Sequence, residues 1–244
     1  MKIPKRILPV IVYSQFAGTS MWFAGNAILP QIQEAWDLPQ SAIAHVTSMV
    51  MLGFIAGTFA FALLSIADRF SSTKVFFLSS VLGAVFNLSL IFLPESFAML
   101  LSMRFLTGIS LAGIYPVGMK IASDWYKGKL GQALGYLVGA LVLGSAFPHL
   151  LNHTGGQLSW AFVLTATSIL SVSGGLAMFY LVGEGPYRTQ GAQFQPKKMF
   201  EVFRKPEFRA AAFGYFGHMC ELYTLWAFLP IVLTYYNMVH GTDI

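Results

Sequence analysis

Seven times along this chain an apolar run recurs that is long enough to cross a lipid bilayer, which takes about 20 residues in a helix. The runs occupy residues 7–30, 42–67, 75–94, 97–123, 130–151, 160–182 and 210–236. Inside hydrocarbon every backbone N–H and C=O must be satisfied within the protein, so runs of this length are read as helices. Composition agrees, with 56% hydrophobic and 10% charged residues, where a soluble domain carries about 25% charged. The first run follows the basic stretch "MKIPKR", as a secretory signal would. It is far longer than the roughly 7–15 apolar residues of a signal, so it is read as an anchor that stays. A single cysteine, Cys220, rules out a disulfide framework within the chain and a multi-cysteine metal cluster.

The net charge of +5 would suit a nucleic-acid partner only if the charges were clustered for one. They are distributed by loop instead. Lys2, Lys5, Arg6, Arg69, Lys74, Lys127, Lys129, Arg188, Lys197, Lys198, Arg204, Lys205 and Arg209 all fall on one side of the predicted membrane, and the opposite loops carry none. By the positive-inside rule the N-terminus is cytoplasmic and the charge excess is a topology signal, not a nucleic-acid footprint. Only Arg104 and Lys120 lie within a span, both in the fourth. Trp36, Trp125, Tyr126 and Trp160 fall near the predicted interfaces, as an aromatic belt would place them.

Six spans with short loops are expected to form one domain over residues 1–183. Residues 184–209, containing "EGPYRTQGAQFQPKK", read as a polar cytoplasmic linker. Residues 210–244 then read as the first helix of an incomplete second domain, which suggests a fragment of a longer protein. Glycines at four-residue spacing (Gly131, Gly135 and Gly139, with Gly53 and Gly57) predict close helix packing. Pro116 and Pro230 are expected to interrupt their spans, a feature of transporters that is also tolerated in membrane helices generally.

Several motifs in this order resemble the major facilitator superfamily. The loop after the second run reads "ADRFSSTK", similar to that family's gating motif G-x-L-A-D-R-x-G-R-K, with Asp68 and Arg69 at its acid–base positions. It departs at Leu64 and at the Ser71, Ser72 and Thr73 run, with Lys74 one place late. "RFLTGIS" matches the family's R-x-x-x-G at Arg104 and Gly108, and "SDWYKGKLGQALG" is similar to the loop entering its fifth helix. Around "LAGIYPVGMK" the texture is closer to cyanate- and nitrate-type porters, without the nitrate signature. The resemblance implies an all-α integral membrane fold, an MFS-type six-helix bundle of 3+3 inverted repeats followed by the linker and a seventh transmembrane helix. It also implies a monomeric transporter with no cofactor, in a plasma (bacterial inner) membrane.

Each candidate residue has a functional and a bland reading. Arg104 lies seven residues inside its span, about 10 Å deep. Either it lines a wet pathway with Tyr115 and binds an anionic group, or it is a structural arginine bonded to carbonyls of a neighbouring helix. Lys120 is expected to snorkel to the headgroups. Gln15, Thr19, Trp22 and Asn26 form a polar stripe on the first span, facing either solute or another helix. In the seventh run, His218 and Glu221 share a face, and a buried Glu221 would carry protons with His218 beside it. The alternative is a polar pair that pins this helix to a neighbour. Asp68 and Arg69 are a gating turn or merely a solvated one, while His45, His149 and His153 read as interfacial. No nucleophile–base constellation, phosphate loop or metal set is visible, so no enzyme is expected. The expectation is a secondary transporter of a small solute, by preference an organic or inorganic anion, either uncoupled or coupled to protons. An exporter of hydrophobic or cationic compounds and a non-transporting membrane sensor are the alternatives.

Overall fold

The computed structural model describes residues 3–39, 41–92, 95–154, 159–188 and 201–241, with positions 153, 154, 223, 226–228, 230, 231 and 234 described by backbone alone. Lys2, Lys197 and Lys198, the end of the third predicted run at Pro94 and residues 189–200 of the expected linker lie outside the described residues. Among the described residues the chain forms helices and turns, with no strand. It divides into two compact units, residues 1–194 and 195–244.

The first unit holds six helical stretches long and apolar enough to cross a membrane. Span one is α1 (Ile7–Thr19) followed by α2 (Ala24–Trp36), and span two is α3 (Ala42–Leu63). A single turn, α4 (Ile66–Arg69), leads to span three, α5 (Ser72–Ser89), whose N-cap Ser71 accepts from the Lys74 amide. Span four is α6 (Phe97–Ala112) and α7 (Tyr115–Trp125), span five is α8 (Leu130–Thr154), and span six is α9 (Trp160–Ala177) with a π-helical turn at Met178–Val182.

The sequence explains the two broken spans. Thr19 donates back to the Gln15 carbonyl at 2.8 Å and Ser20 to the Ala17 carbonyl at 2.7 Å. Such back-bonding competes with the helical ladder and bends it. The helix stops at Thr19 and restarts at Ala24. In span four, Pro116 falls in the first turn of α7, just after the Gly113 and Ile114 break. It has no N–H to give the preceding turn, which fixes the interruption there.

Packing repeats with a three-span period. The principal contacts join α1 to α8, α1 to α9, α3 to α6, α5 to α6, and α5 to α9. Exchanging span one with four, two with five and three with six maps this set onto itself. Three crossings separate the equivalent spans, so the second triplet enters the membrane from the other side. Six spans therefore form two inverted repeats, each opening with a broken helix.

Two apolar clusters fill the bundle, one around Ile11, Trp22, Phe76, Leu111 and Ile114, the other around Ile28, Val46, Leu90, Leu100 and Leu164. Their boundary falls between Trp22 and Ala24 on span one, between Ala84 and Leu90 on span three, and between Leu100 and Leu111 on span four. Polar side chains occupy this boundary.

The glycine expectation divides. Gly53, Gly57 and Gly108 do sit at a helix crossing: a Cβ on Gly108 would lie 2.2 Å from the Val50 carbonyl oxygen, and one on Gly53 2.0 Å from that of Phe105. Gly131, Gly135 and Gly139 meet nothing within 4 Å, so their spacing does not reflect packing within this bundle.

Among the described residues of the second unit the long helix is α10 (Pro206–His240), 35 residues. It runs through Pro230 without interruption, contrary to the expected break. It is not among the six apolar stretches that meet the length and hydropathy of a membrane span.

Candidate functional site

Across the break the Ser20 amide still bonds to the Phe16 carbonyl (3.2 Å) and the Phe23 carbonyl still accepts from the Ala27 amide (2.9 Å), but the Met21 carbonyl keeps only a 3.4 Å bond from the Ala24 amide. Backbone groups loosened at membrane depth must be met by protein or by a wet cavity. Arg104 meets them. Its Nη2 donates to the carbonyls of Met21 at 3.0 Å and Trp22 at 2.6 Å, and its Nη1 donates to Asn87 Oδ1 at 3.2 Å. The side chain is fully buried, and no carboxylate pairs with it among the described residues. Gly25 is the one residue type that fits beneath it, since a Cβ there would stand 2.6 Å from Arg104 Nε. This geometry differs from the expected pathway-lining guanidinium. Charge is tolerated here because carbonyl dipoles and a carboxamide replace water around it.

Asn87, which the sequence reading did not single out, is the hub. It is fully buried on α5, and its Nδ2 lies within hydrogen-bonding reach of the Leu164 carbonyl (3.2 Å), Thr167 Oγ1 (3.2 Å) and Ser168 Oγ (3.0 Å) on α9. One asparagine thus ties together spans three, four and six, and through Arg104 span one. A lone Asn in an apolar run was the available sequence signal.

The polar stripe of span one does not act as a unit. Thr19 is consumed by its own helix. Gln15 is fully buried against Gly118, and among the described residues neither end of its amide meets a hydrogen-bond partner. Trp22 lies beside the break, with its ring centroid 4.8 Å from that of Phe54 and 6.5 Å from that of Tyr115, and its buried Nε1 has no acceptor among the described residues. Asn26, one turn further and half-buried, donates to Thr47 on span two. Tyr115, expected on the Arg104 face, falls beyond the span-four break and packs edge-on to Trp22. Trp22, Asn26 and Tyr115 gather around the span-one break; Gln15 lies apart, against α7.

At the other end of span four, Lys120 does not snorkel. Its Nζ lies 3.2 Å from Asp68 and 3.6 Å from Asp124, with only 18% of its side chain exposed. Two carboxylates outcompete the headgroups. Asp68 thereby holds the loop between spans two and three against span four, while Arg69 is exposed. The first residues of the expected linker also pack here rather than extend. Glu184 accepts from Ser71 Oγ and pairs with Arg188 at 2.9 Å, Arg188 donates to the Phe70 carbonyl at 2.7 Å, and the Tyr187 amide donates to the Asp124 carbonyl at 3.0 Å. Gly183, at φ 67°, provides the left-handed turn that lets the chain double back.

His218 and Glu221 lie on α10, both exposed. The burial expected for Glu221 is not present, because one helix cannot bury its own face and needs others packed around it.

A helical bundle of two inverted three-span repeats, each opening with a broken helix, is the architecture of a membrane transport protein. Residues 11–243 match the Major Facilitator Superfamily, and the chain belongs to that family. Over 149 residues it is 29% identical to "Putative transporter SVOPL" of Mus musculus, covering 58% of this chain and 28% of that protein. The Homo sapiens protein of the same name is 30% identical over 123 residues, covering 48% and 24% respectively. The chain therefore aligns with about a quarter of the length of these relatives. A crystal structure of a POT family transporter in complex with a thioalcohol-conjugated peptide superposes with a TM-score of 0.57 at 17% identity. That match covers 98% of this chain and 48% of the other, and it bears on the fold.

Proposed function

We propose that the protein is a secondary transporter that moves a small solute across its membrane by alternating access, with its N-terminus in the cytoplasm. The observation that carries this reading is the break of span one at membrane depth, with its carbonyls held by a buried arginine, Trp22 within it and Asn26 just after it. Irregular backbone at such a depth is costly and is kept where a solute site needs it. The family membership supports the same reading.

The cargo follows from which groups have valence to spare. Arg104 and Lys120, the two cations of span four, are both engaged inside the bundle. The side of the site that this unit supplies is aromatic and neutral, which suits a hydrogen-bonding solute with apolar surface better than the small anion suggested by charge alone. Proton coupling through Glu221, with His218 beside it, remains our reading of the seventh helix. A carboxylate exposed on α10 becomes a proton carrier once other helices bury it. The proposed gate is the Asp68–Lys120–Asp124 cluster, with Arg69 setting topology.

The test is uptake into liposomes holding the purified protein, with a panel of labelled organic anions, neutral polyols and aromatic amides, under an imposed pH gradient. The account expects accumulation of a neutral member driven by an inward proton gradient and abolished by Glu221→Gln. Full activity of that variant would remove the proton role, and uptake restricted to anions would restore the anionic cargo.

A further inference from the structure

The geometry points to Asn87 as the positioning residue of the span-one break: acting through Arg104, it fixes the segment that carries Trp22, Phe23 and Asn26 toward the solute. The inference rests on the transporter reading for the purpose of that segment, though not for the mechanics.

Arg104 reaches three acceptors from one end of its side chain, and two of them are the Met21 and Trp22 carbonyls. A guanidinium held by those two alone could swing with the break. The third contact, Asn87 Oδ1 at 3.2 Å, ties it to α5. Asn87 is in turn held by α9, through the Leu164 carbonyl, Thr167 Oγ1 and Ser168 Oγ. The direction of the carboxamide follows from chemistry: arginine only donates, so the oxygen faces Arg104, and the two Nδ2 hydrogens are shared among three acceptors on span six. The contact crosses from the second to the first repeat, so the position of the break is dictated by spans three, four and six together. Beneath it, Gly25 brings the first turn of α2 against the guanidinium, and any shift of Arg104 therefore moves α2 as well.

The chemistry distinguishes three residues at position 87. Asparagine holds both Arg104 and span six. Aspartate keeps the acceptor for Arg104 but cannot donate to the Leu164 carbonyl. Leucine, of similar size, does neither.

The experiment is thiol labelling of the membrane-embedded protein, with Cys220→Ser as background and a reporter Phe23→Cys within the break. A second reporter, His45→Cys, sits on span two away from the network. The probe is a membrane-impermeant methanethiosulfonate. Asn87→Leu is expected to raise the labelling rate at position 23 about tenfold, as a lost buried bond to a charged group would. The rate at position 45 should stay unchanged, and Asn87→Asp should hold position 23 near its starting rate. If Asn87→Leu is not recovered as folded protein, Asn87→Ser, too short to reach Arg104, carries the same comparison.

Unchanged labelling at position 23 would overturn the proposal. So would an equal rise at both reporters, which marks general loosening, and so would an Asn87→Asp variant that labels as fast as Asn87→Leu, which marks span-six anchoring alone. Labelling requires no transport, so these results are independent of the uptake assay.

Discussion

Arg104 shows how backbone carbonyls and a carboxamide can hold a permanent charge inside a helical bundle. Its cost is offset by the carbonyls of Met21 and Trp22 at the break in span one and by one carboxamide, although its Nε has no partner among the described residues. Removing it leaves the Trp22 carbonyl and Asn87 Oδ1 without that donor and the Met21 carbonyl with only the 3.4 Å bond from the Ala24 amide. Arg104→Met should therefore lower stability by about 2–4 kcal/mol, read as a fall in melting temperature in detergent. Little loss would mean that water already reaches the site. Gln15 behaves in the opposite sense. Its amide is buried with neither end partnered among the described residues, so Gln15→Met, close in shape and apolar, should raise stability by about 1–2 kcal/mol in the same measurement. Sequence made Arg104 visible because a charge among apolar residues is conspicuous. It left open whether the guanidinium meets solute or backbone, because the answer lies in carbonyls of a helix far away in the chain. Asn87 was visible only as a lone asparagine in an apolar run, and it gains its meaning from the spans that surround it.

At the scale of helices, close approach is what the glycines at crossings provide. A Cβ on Gly53 would collide with the Phe105 carbonyl oxygen, whereas one on Gly135 would meet nothing within 4 Å. Gly53→Ala should then cost about 1–3 kcal/mol while Gly135→Ala changes stability by less than about 0.5 kcal/mol, as compared by thermal unfolding. Identical four-residue spacing on two helices predicted the same role for both, because spacing records which face is small and not what lies opposite it. The ends of span four follow a similar logic. Asp68 is a third exposed at its side chain, so Asp68→Asn should have an effect below about 1 kcal/mol. Lys120→Met also leaves Asp124, only 7% exposed at its side chain, without its ion-pair partner. It should cost clearly more, and the order of the two melting temperatures tests this.

For the molecule as a whole, the six spans of the first unit were legible from apolar length alone, and the break in span one was not. At that break Thr19 and Ser20 bond back to carbonyls of their own helix, short-range chemistry that an apolar count passes over. The direction of insertion rests on where Lys and Arg lie in the loops, and alternating access adds the requirement that the break be reached from each side in turn. Cysteine labelling at the break tests this most directly. With Cys220→Ser as background and Asn26→Cys as the target, an impermeant thiol reagent is applied to intact cells and, separately, to inside-out vesicles. The account predicts that position 26 reacts from both sides and that Arg104→Cys reacts from neither. Reaction of position 26 from one side alone, or from none, would contradict it.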